Sequence, residues 1–197
     1  GGDFCHPLRA DSLDFVSVNW GGRRSKGRRC HAGLDLFTRS PGVVVAMADG
    51  FLTREPRKFL DCNDGWGGPG PAWYVLIYHP SLGVTINYGE IDHRSLRVHS
   101  VNQRVVKGQQ LGVASHCGML HLEVYDGQQS QPFQWYPPSG SSVSRLSTKD
   151  YCVRHYMSTK PRQLRDPRAF IRQFESSFCG NSAEQRAAGR PSAATSP

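Results

Sequence analysis

The stretch Arg29-Cys30-His31-Ala32-Gly33-Leu34-Asp35-Leu36 places an imidazole and a carboxylate four residues apart, just before a run that reads as a buried strand. By itself His-x-x-x-Asp occurs in many loops by chance. A second stretch, Gly118-Met119-Leu120-His121-Leu122-Glu123-Val124-Tyr125, gives it weight. On a strand, alternate residues share a face. Met119, His121 and Glu123 are therefore expected to point one way, and Leu120, Leu122 and Val124 the other, into a core. With His121 facing His31 and Asp35, two nitrogens and one oxygen converge. That is a common ligand set for a catalytic Zn2+ ion whose fourth position is left to water.

Working outward, the 197 residues suffice for one domain with appendages and a sizeable core. Twenty-one Gly and 13 Pro punctuate short apolar runs, which favours a mainly β chain over a helical bundle. No apolar run approaches the roughly 18 residues of a membrane span. The start, Gly1-Gly2-Asp3-Phe4-Cys5, reads as processed or trimmed. The six cysteines are even in number and contain no C-x-x-C pair, which argues against a thioredoxin motif or a cysteine-only zinc site. Disulfides in an oxidising compartment are preferred to buried free thiols, and fifteen pairings remain open.

The formal charge of +8 is concentrated in part in Arg23-Arg24-Ser25-Lys26-Gly27-Arg28-Arg29. This run suits an acidic polymer such as a bacterial wall or a glycosaminoglycan, or else it is a solvated loop. Nucleic acid is not expected, because no aromatics interleave and no nucleic-acid module is visible.

Strands are predicted over Leu13–Val18, Leu34–Phe37, Val43–Ala48, Phe51–Arg54, Trp73–His79, Val84–Tyr88, Gln109–Val113 and around His121, with turns at hairpin spacing. Residues 55–72 read as a long loop, and almost no helix is expected before residue 160. Four regions follow: a zinc-binding β domain over 1–127, a long polar insertion over 128–165, a closing helix over 166–180, and a disordered tail over 181–197. Asp166-Pro167 supplies the helix start, with Asp as cap and Pro at the first helical position. The tail lacks large apolar residues.

The ordered set His31-x-x-x-Asp35, Tyr88-Gly89-Glu90-Ile91, Val105-Val106-Lys107-Gly108-Gln109-Gln110-Leu111-Gly112 and Leu120-His121-Leu122-Glu123 resembles the M23 peptidases. These lysostaphin- and LytM-like zinc endopeptidases cut peptide crosslinks in bacterial peptidoglycan. The resemblance covers roughly residues 20–127 and the Asp166-Pro167 helix. It implies an antiparallel β-sheet groove fold with zinc on the groove floor, held by His31, Asp35 and His121. Two departures stand out. Active members carry His-x-His where this chain has Met119-x-His121, and a further His where it has Glu90. Met cannot take a proton. A carboxylate near the metal can, as in the His-Glu-x-x-His proteases.

Glu90 is thus the candidate base, and His116, three residues before Met119, the candidate for a polarising contact. His93 and His99 are further options for that contact. His79, before Pro80, reads as structural. Glu123 is placed either as the group that orients His121 or as a strand-edge charge. Cys30 and Cys117, next to the ligand strands, are expected to brace the site as disulfides rather than to bind metal. Trp66 and Tyr88 are candidate substrate-binding aromatics, while Trp73 is assigned to the core.

The function so implied is a secreted, monomeric zinc metalloendopeptidase-like protein acting on peptidoglycan or similar Gly-rich peptides. A catalytically inactive, chemotaxin-like zinc-binding module of the same fold, binding a receptor or glycan, remains the alternative. A wall-binding module with a structural metal is a third. Loss of both usual histidines favours binding; the intact ligand set with Glu90 favours chemistry.

Overall fold

The computed structural model describes residues 4–62, 70–173 and 177–179. In chain order the strands are β1 (Leu13–Ser17), β2 (Arg23–Arg24), β3 (Arg29–Cys30), β4 (Leu34–Thr38), β5 (Val43–Val45), β6 (Gly50–Leu52), β7 (Arg57–Cys62), β8 (Gly70–His79), β9 (Val84–Asp92), β10 (Arg104–Val105), β11 (Gln110–Val113), β12 (Met119–Asp126) and β13 (Leu164–Arg165). Helix α1 (Tyr151–His155) precedes β13 and α2 (Pro167–Arg172) follows it. Among the described residues, nine strands form one antiparallel sheet with the path β1-β4-β12-β9-β8-β6-β10, to which β13 adds at β12 and β7 at β8. The chain is mainly β, as its turn-punctuated apolar runs predict.

Register sorts the central strands into two faces. Leu34 and Leu36 of β4 pair with Leu122 and Leu120 of β12, and Leu122 and Val124 pair with Tyr88 and Ile86 of β9. These side chains are essentially fully buried and form the core face. The alternating positions carry the polar set: Asp35 opposite His121, and Glu123 opposite Asn87. This second face is also buried: residues 127–133 pack over its Thr85 and Tyr125 end, and Phe59 of β7 stacks on His121. Gln129 N and the Gly127 carbonyl both bond the Thr85 hydroxyl, at 2.9 and 2.8 Å. Burial on both faces explains why the middle of β8, Trp73 to Tyr78, reads as a nearly continuous apolar run, whereas β9 alternates apolar and polar residues.

The segment after β12 is tied into the same core. Trp135 and Val143 are buried, and a disulfide joins Cys152 of α1 to Cys30 of β3 across 122 residues. Cys30 N donates to the Trp135 carbonyl at 2.8 Å, and Val143 N to the Gly27 carbonyl at 2.8 Å. The β2–β3 hairpin is therefore clamped from outside. Two more disulfides, Cys5–Cys179 and Cys62–Cys117, fasten the chain ends and the β7 hairpin.

Several expectations need correction. Residues 57–62 form a strand rather than loop, pairing with the start of β8. The five-residue α1, which ends with Tyr156 N bonding the Cys152 carbonyl, agrees with the near absence of helix expected before residue 160. Helix α2 begins as expected, with Asp166 accepting from Arg168 N, but it ends at Arg172 and Ser177–Cys179 are not helical. Trp73 is only half-buried and stacks on His93 at 5.5 Å. The expected tail over 181–197 lies outside the described residues. Among those described, no helix is long and apolar enough to cross a membrane.

Candidate metal centre

Strand pairing builds the site. The His121–Asp35 register pair sets two donors side by side on adjacent strands, and His31 enters from the short connection between β3 and β4. His121 Nδ1 lies 3.0 Å from Asp35 Oδ1 and 3.0 Å from His31 Nε2, and His31 Nε2 lies 3.3 Å from Asp35 Oδ1. Donors held tetrahedrally at zinc-like bond lengths of roughly 2.0–2.1 Å would stand about 3.3 Å apart. The three atoms thus fit one face of a tetrahedron around a first-row cation.

Neighbouring groups orient each donor. His31 Nδ1 lies 3.0 Å from the Asn19 carbonyl and donates to it, which leaves the Nε2 lone pair facing the site. Asp35 Oδ2 accepts from Asn19 Nδ2 at 2.7 Å and from Arg24 at 2.6 Å, which leaves Oδ1 for a cation. His121 Nε2 donates to Glu123 Oε1 at 2.8 Å. Glu123 Oε2 in turn accepts from Asn87 at 2.9 Å and from the Tyr125 hydroxyl. A carboxylate behind a ligating imidazole fixes its tautomer and raises its basicity. Two glycines leave room for the His121 ring. A Cβ on Gly33 would fall 2.8 Å from ring atoms and 2.6 Å from the Leu122 carbonyl, and one on Gly89 would fall 3.3 Å from His121 Cβ. Phe59 stacks on the ring at 5.3 Å.

The electrostatics match a cation site. Burial opposes the charged form of His121, but hydrogen bonds to Asp35 and Glu123 outweigh it and raise its pKa to about 10. Burial holds His31 below the usual imidazole range, against the pull of Asp35. Burial would by itself raise Asp35, yet the hydrogen bond from His121 brings it far below the carboxylate range. Without metal, the His121 Nδ1 proton sits among the three donors, and a cation must displace it.

Glu90 follows Gly89, the register partner of His121, on β9. It is 7% exposed and adopts φ 67°, the left-handed region that β carbons disfavour. Its Oε2 is buried without a hydrogen-bond partner among the described residues. Burial raises the carboxyl to about 7, an effect offset in part by the charge of His121 and reinforced by that of Asp35. Left-handed backbone, burial and an unsatisfied oxygen each disfavour a glutamate here, and such costs collect at functional positions. Met119 is half-buried on the same face, across from Phe37.

The other candidates are distributed differently. His116 is half-buried against Gly70, with Nε2 3.5 Å from the Arg94 guanidinium. Tyr88 is not a substrate-binding residue. It pairs with Leu122 on the core face, is fully buried, and its hydroxyl accepts from Met47 N at 3.0 Å and donates to His79 Nε2 at 2.9 Å. His79 completes that buried network through Nδ1 to the Asp49 carbonyl, and burial lowers it to about 4. Trp66 lies outside the described residues. Cys30 and Cys117 are both oxidised in disulfides, so neither offers a thiolate. Asn19, Phe59 and Gln134 carry no motif that singles them out, and Arg24 is hidden inside the basic run.

No protein-family model matches the chain, and no curated protein matches its sequence. Among solved structures, a zinc-containing peptidase from Vibrio cholerae is similar at 20% identity, over 68% of this chain and 39% of its own, with a TM-score of 0.43. Helicobacter pylori Csd3 is similar at 19% identity, over 71% of this chain and 37% of its own, with a TM-score of 0.38. The chain spans less than two fifths of either.

Proposed function

We propose that the protein is a secreted zinc-dependent metallopeptidase of M23 type that hydrolyses peptide bonds in peptidoglycan or similar Gly-rich peptides. The observation carrying this reading is the convergence of His31 Nε2, Asp35 Oδ1 and His121 Nδ1 at 3.0–3.3 Å, each fixed by a further hydrogen bond. The donor set of two imidazoles and one carboxylate suits zinc. Zinc, when bound, supplies Lewis acidity toward the scissile carbonyl and lowers the pKa of water to roughly 7.

The chain's own residues supply the rest. Glu90, with a carboxyl raised to about 7, takes a proton from the attacking water as the water oxygen adds to the carbonyl carbon. It returns that proton to the amine nitrogen as the C–N bond breaks. Arg24 and Asn19 hold Asp35, and Glu123 holds His121, so the donors need not reorganise during the reaction. His116 is assigned the polarising contact to the carbonyl oxygen. The three disulfides suit an oxidising, extracellular setting.

A second reading, a non-catalytic zinc-binding module for a receptor or glycan, is favoured by Met119, which occupies the site face without a group that can move a proton. The test compares zinc-loaded wild type, Glu90→Ala and His121→Ala on purified peptidoglycan. Turbidity loss by wild type alone is expected. Zinc bound at full occupancy by wild type, with no turbidity loss in any of the three, selects the binding module.

A further inference from the structure

A small, partly open cleft lies beside two of the metal donors, walled by His31, Phe59, His121, Glu123, Arg29 and Gln134. Its one guanidinium is that of Arg29, two residues before His31. The guanidinium donates to Gln134 Oε1, a neutral acceptor. Among the described residues no carboxylate lies within ion-pair distance of Arg29, whereas the neighbouring Arg24 is engaged by Asp35 at 2.6 Å. Glu123, the acid in the cleft wall, already accepts from His121, Asn87 and Tyr125.

The Arg29 wall is fixed in place. Cys30, the next residue, is disulfide-bonded to Cys152 and hydrogen-bonded to the Trp135 carbonyl, next to Gln134. Gly27, at the hairpin turn, has φ 91° and sits so close to Val143 that a Cβ would fall 2.3 Å from its carbonyl. Lys26 and Arg28 add exposed positive charge on the same hairpin. A guanidinium bonded to a neutral partner at the edge of a cleft, with no carboxylate in ion-pair distance among the described residues, matches the planar geometry of a carboxylate.

We propose that this cleft is a carboxylate-binding subsite, in which Arg29, steadied by Gln134, anchors a carboxylate of the peptide whose adjacent bond lies at the metal centre. This rests on the metallopeptidase reading above. The carboxylate is either a peptide C-terminus or an acidic side chain. Gln134, from the segment after β12, then contributes to specificity by steadying Arg29.

The test measures dissociation constants of the zinc-loaded full chain for N-acetyl-triglycine as free acid, for its C-terminal amide, and for N-acetyl-Gly-Asp-Gly-amide. One or both acidic peptides are expected to bind about ten-fold or more tightly than the neutral amide, the scale of a charge-assisted hydrogen bond. A preference for the free acid alone identifies the terminus, and one for the Asp peptide alone identifies a side chain. Arg29→Gln and, independently, Gln134→Glu are expected to abolish the preference, and Arg29→Lys to keep part of it. Equal binding of all three peptides by wild type, or a preference that survives in Arg29→Gln, overturns the subsite. So does failure of all three to bind. Zinc content of the same samples separates the two proposals: full zinc without acid preference counts against the subsite alone, and a wild type that retains no zinc counts against the metallopeptidase.

Discussion

Glu123 Oε1 accepts the Nε2 proton of His121 at 2.8 Å, and both residues lie on one face of β12, two positions apart. The strand's period thus sets a donor and the carboxylate that orients it in a single element. Burial alone would raise Glu123, but its hydrogen bond with the protonated His121 keeps it ionised. Glu123→Gln preserves shape but removes the charge. Zinc affinity is expected to fall about 10–100-fold, the usual cost of losing such an outer partner. Competition with a chromogenic chelator measures it; unchanged affinity would remove Glu123 from the site.

Metal binding must release a proton. His121, raised to about 10, is protonated at neutral pH in the metal-free protein, whereas His31 is held neutral. Zinc affinity should therefore climb about ten-fold per pH unit between roughly pH 7 and 9 and flatten above the His121 pKa. Calorimetry in buffers of different ionisation enthalpy should report about one proton released per zinc at pH 8. An affinity independent of pH over that window would contradict the arrangement of the three donors.

Gly33 separates His31 from Asp35 for a steric reason. A Cβ there would meet the Leu122 carbonyl at 2.6 Å and the His121 ring at 2.8 Å. Gly33→Ala is expected to lower stability by about 1–3 kcal/mol, the cost of overpacking a close-packed interior. It should also weaken zinc binding, because the ring is the part that must give way. Chemical denaturation with and without zinc reads both effects.

The Cys30–Cys152 disulfide ties the strand before His31 to α1. Cys30→Ala with Cys152→Ala is expected to cost about 2–5 kcal/mol, lowering Tm on the order of 10 °C. Scanning calorimetry of the double variant under oxidising conditions measures it. A Tm within a degree or two of wild type would show that the 127–160 segment holds the hairpin without the bond.

Much of this centre was legible in the residue order. His121 and Glu123 share a face by simple alternation, and Asp35 follows His31 at a spacing that a turn into β4 can close. Tyr88 was misplaced because the phase of β9 depends on register. It pairs with Leu122 on the core face, and its neighbour Gly89 pairs with His121 on the site face. Strand β7 was hidden by Pro56 before it and by the Asn- and Gly-rich stretch after Cys62, which read as loop chemistry. Asn19, Arg24 and Gln134 are brought to the site by tertiary contacts from 11 to 105 residues away in sequence. No local period encodes such contacts. The disulfide pairs, one of fifteen combinations, were likewise fixed only by the fold.

The most direct measurement is peptide hydrolysis by zinc-loaded wild type and Glu90→Gln, with zinc content determined on the same samples. The amide removes the proton acceptor while keeping the size of a side chain that touches none of the three donors through a hydrogen bond among the described contacts. Equal zinc in both proteins is expected, with the rate of amine release lowered about 10²–10⁴-fold in Glu90→Gln, the range for loss of a general base. Equal rates at equal zinc would contradict the assignment of Glu90, and a wild type that holds zinc but releases no amine would contradict hydrolysis itself.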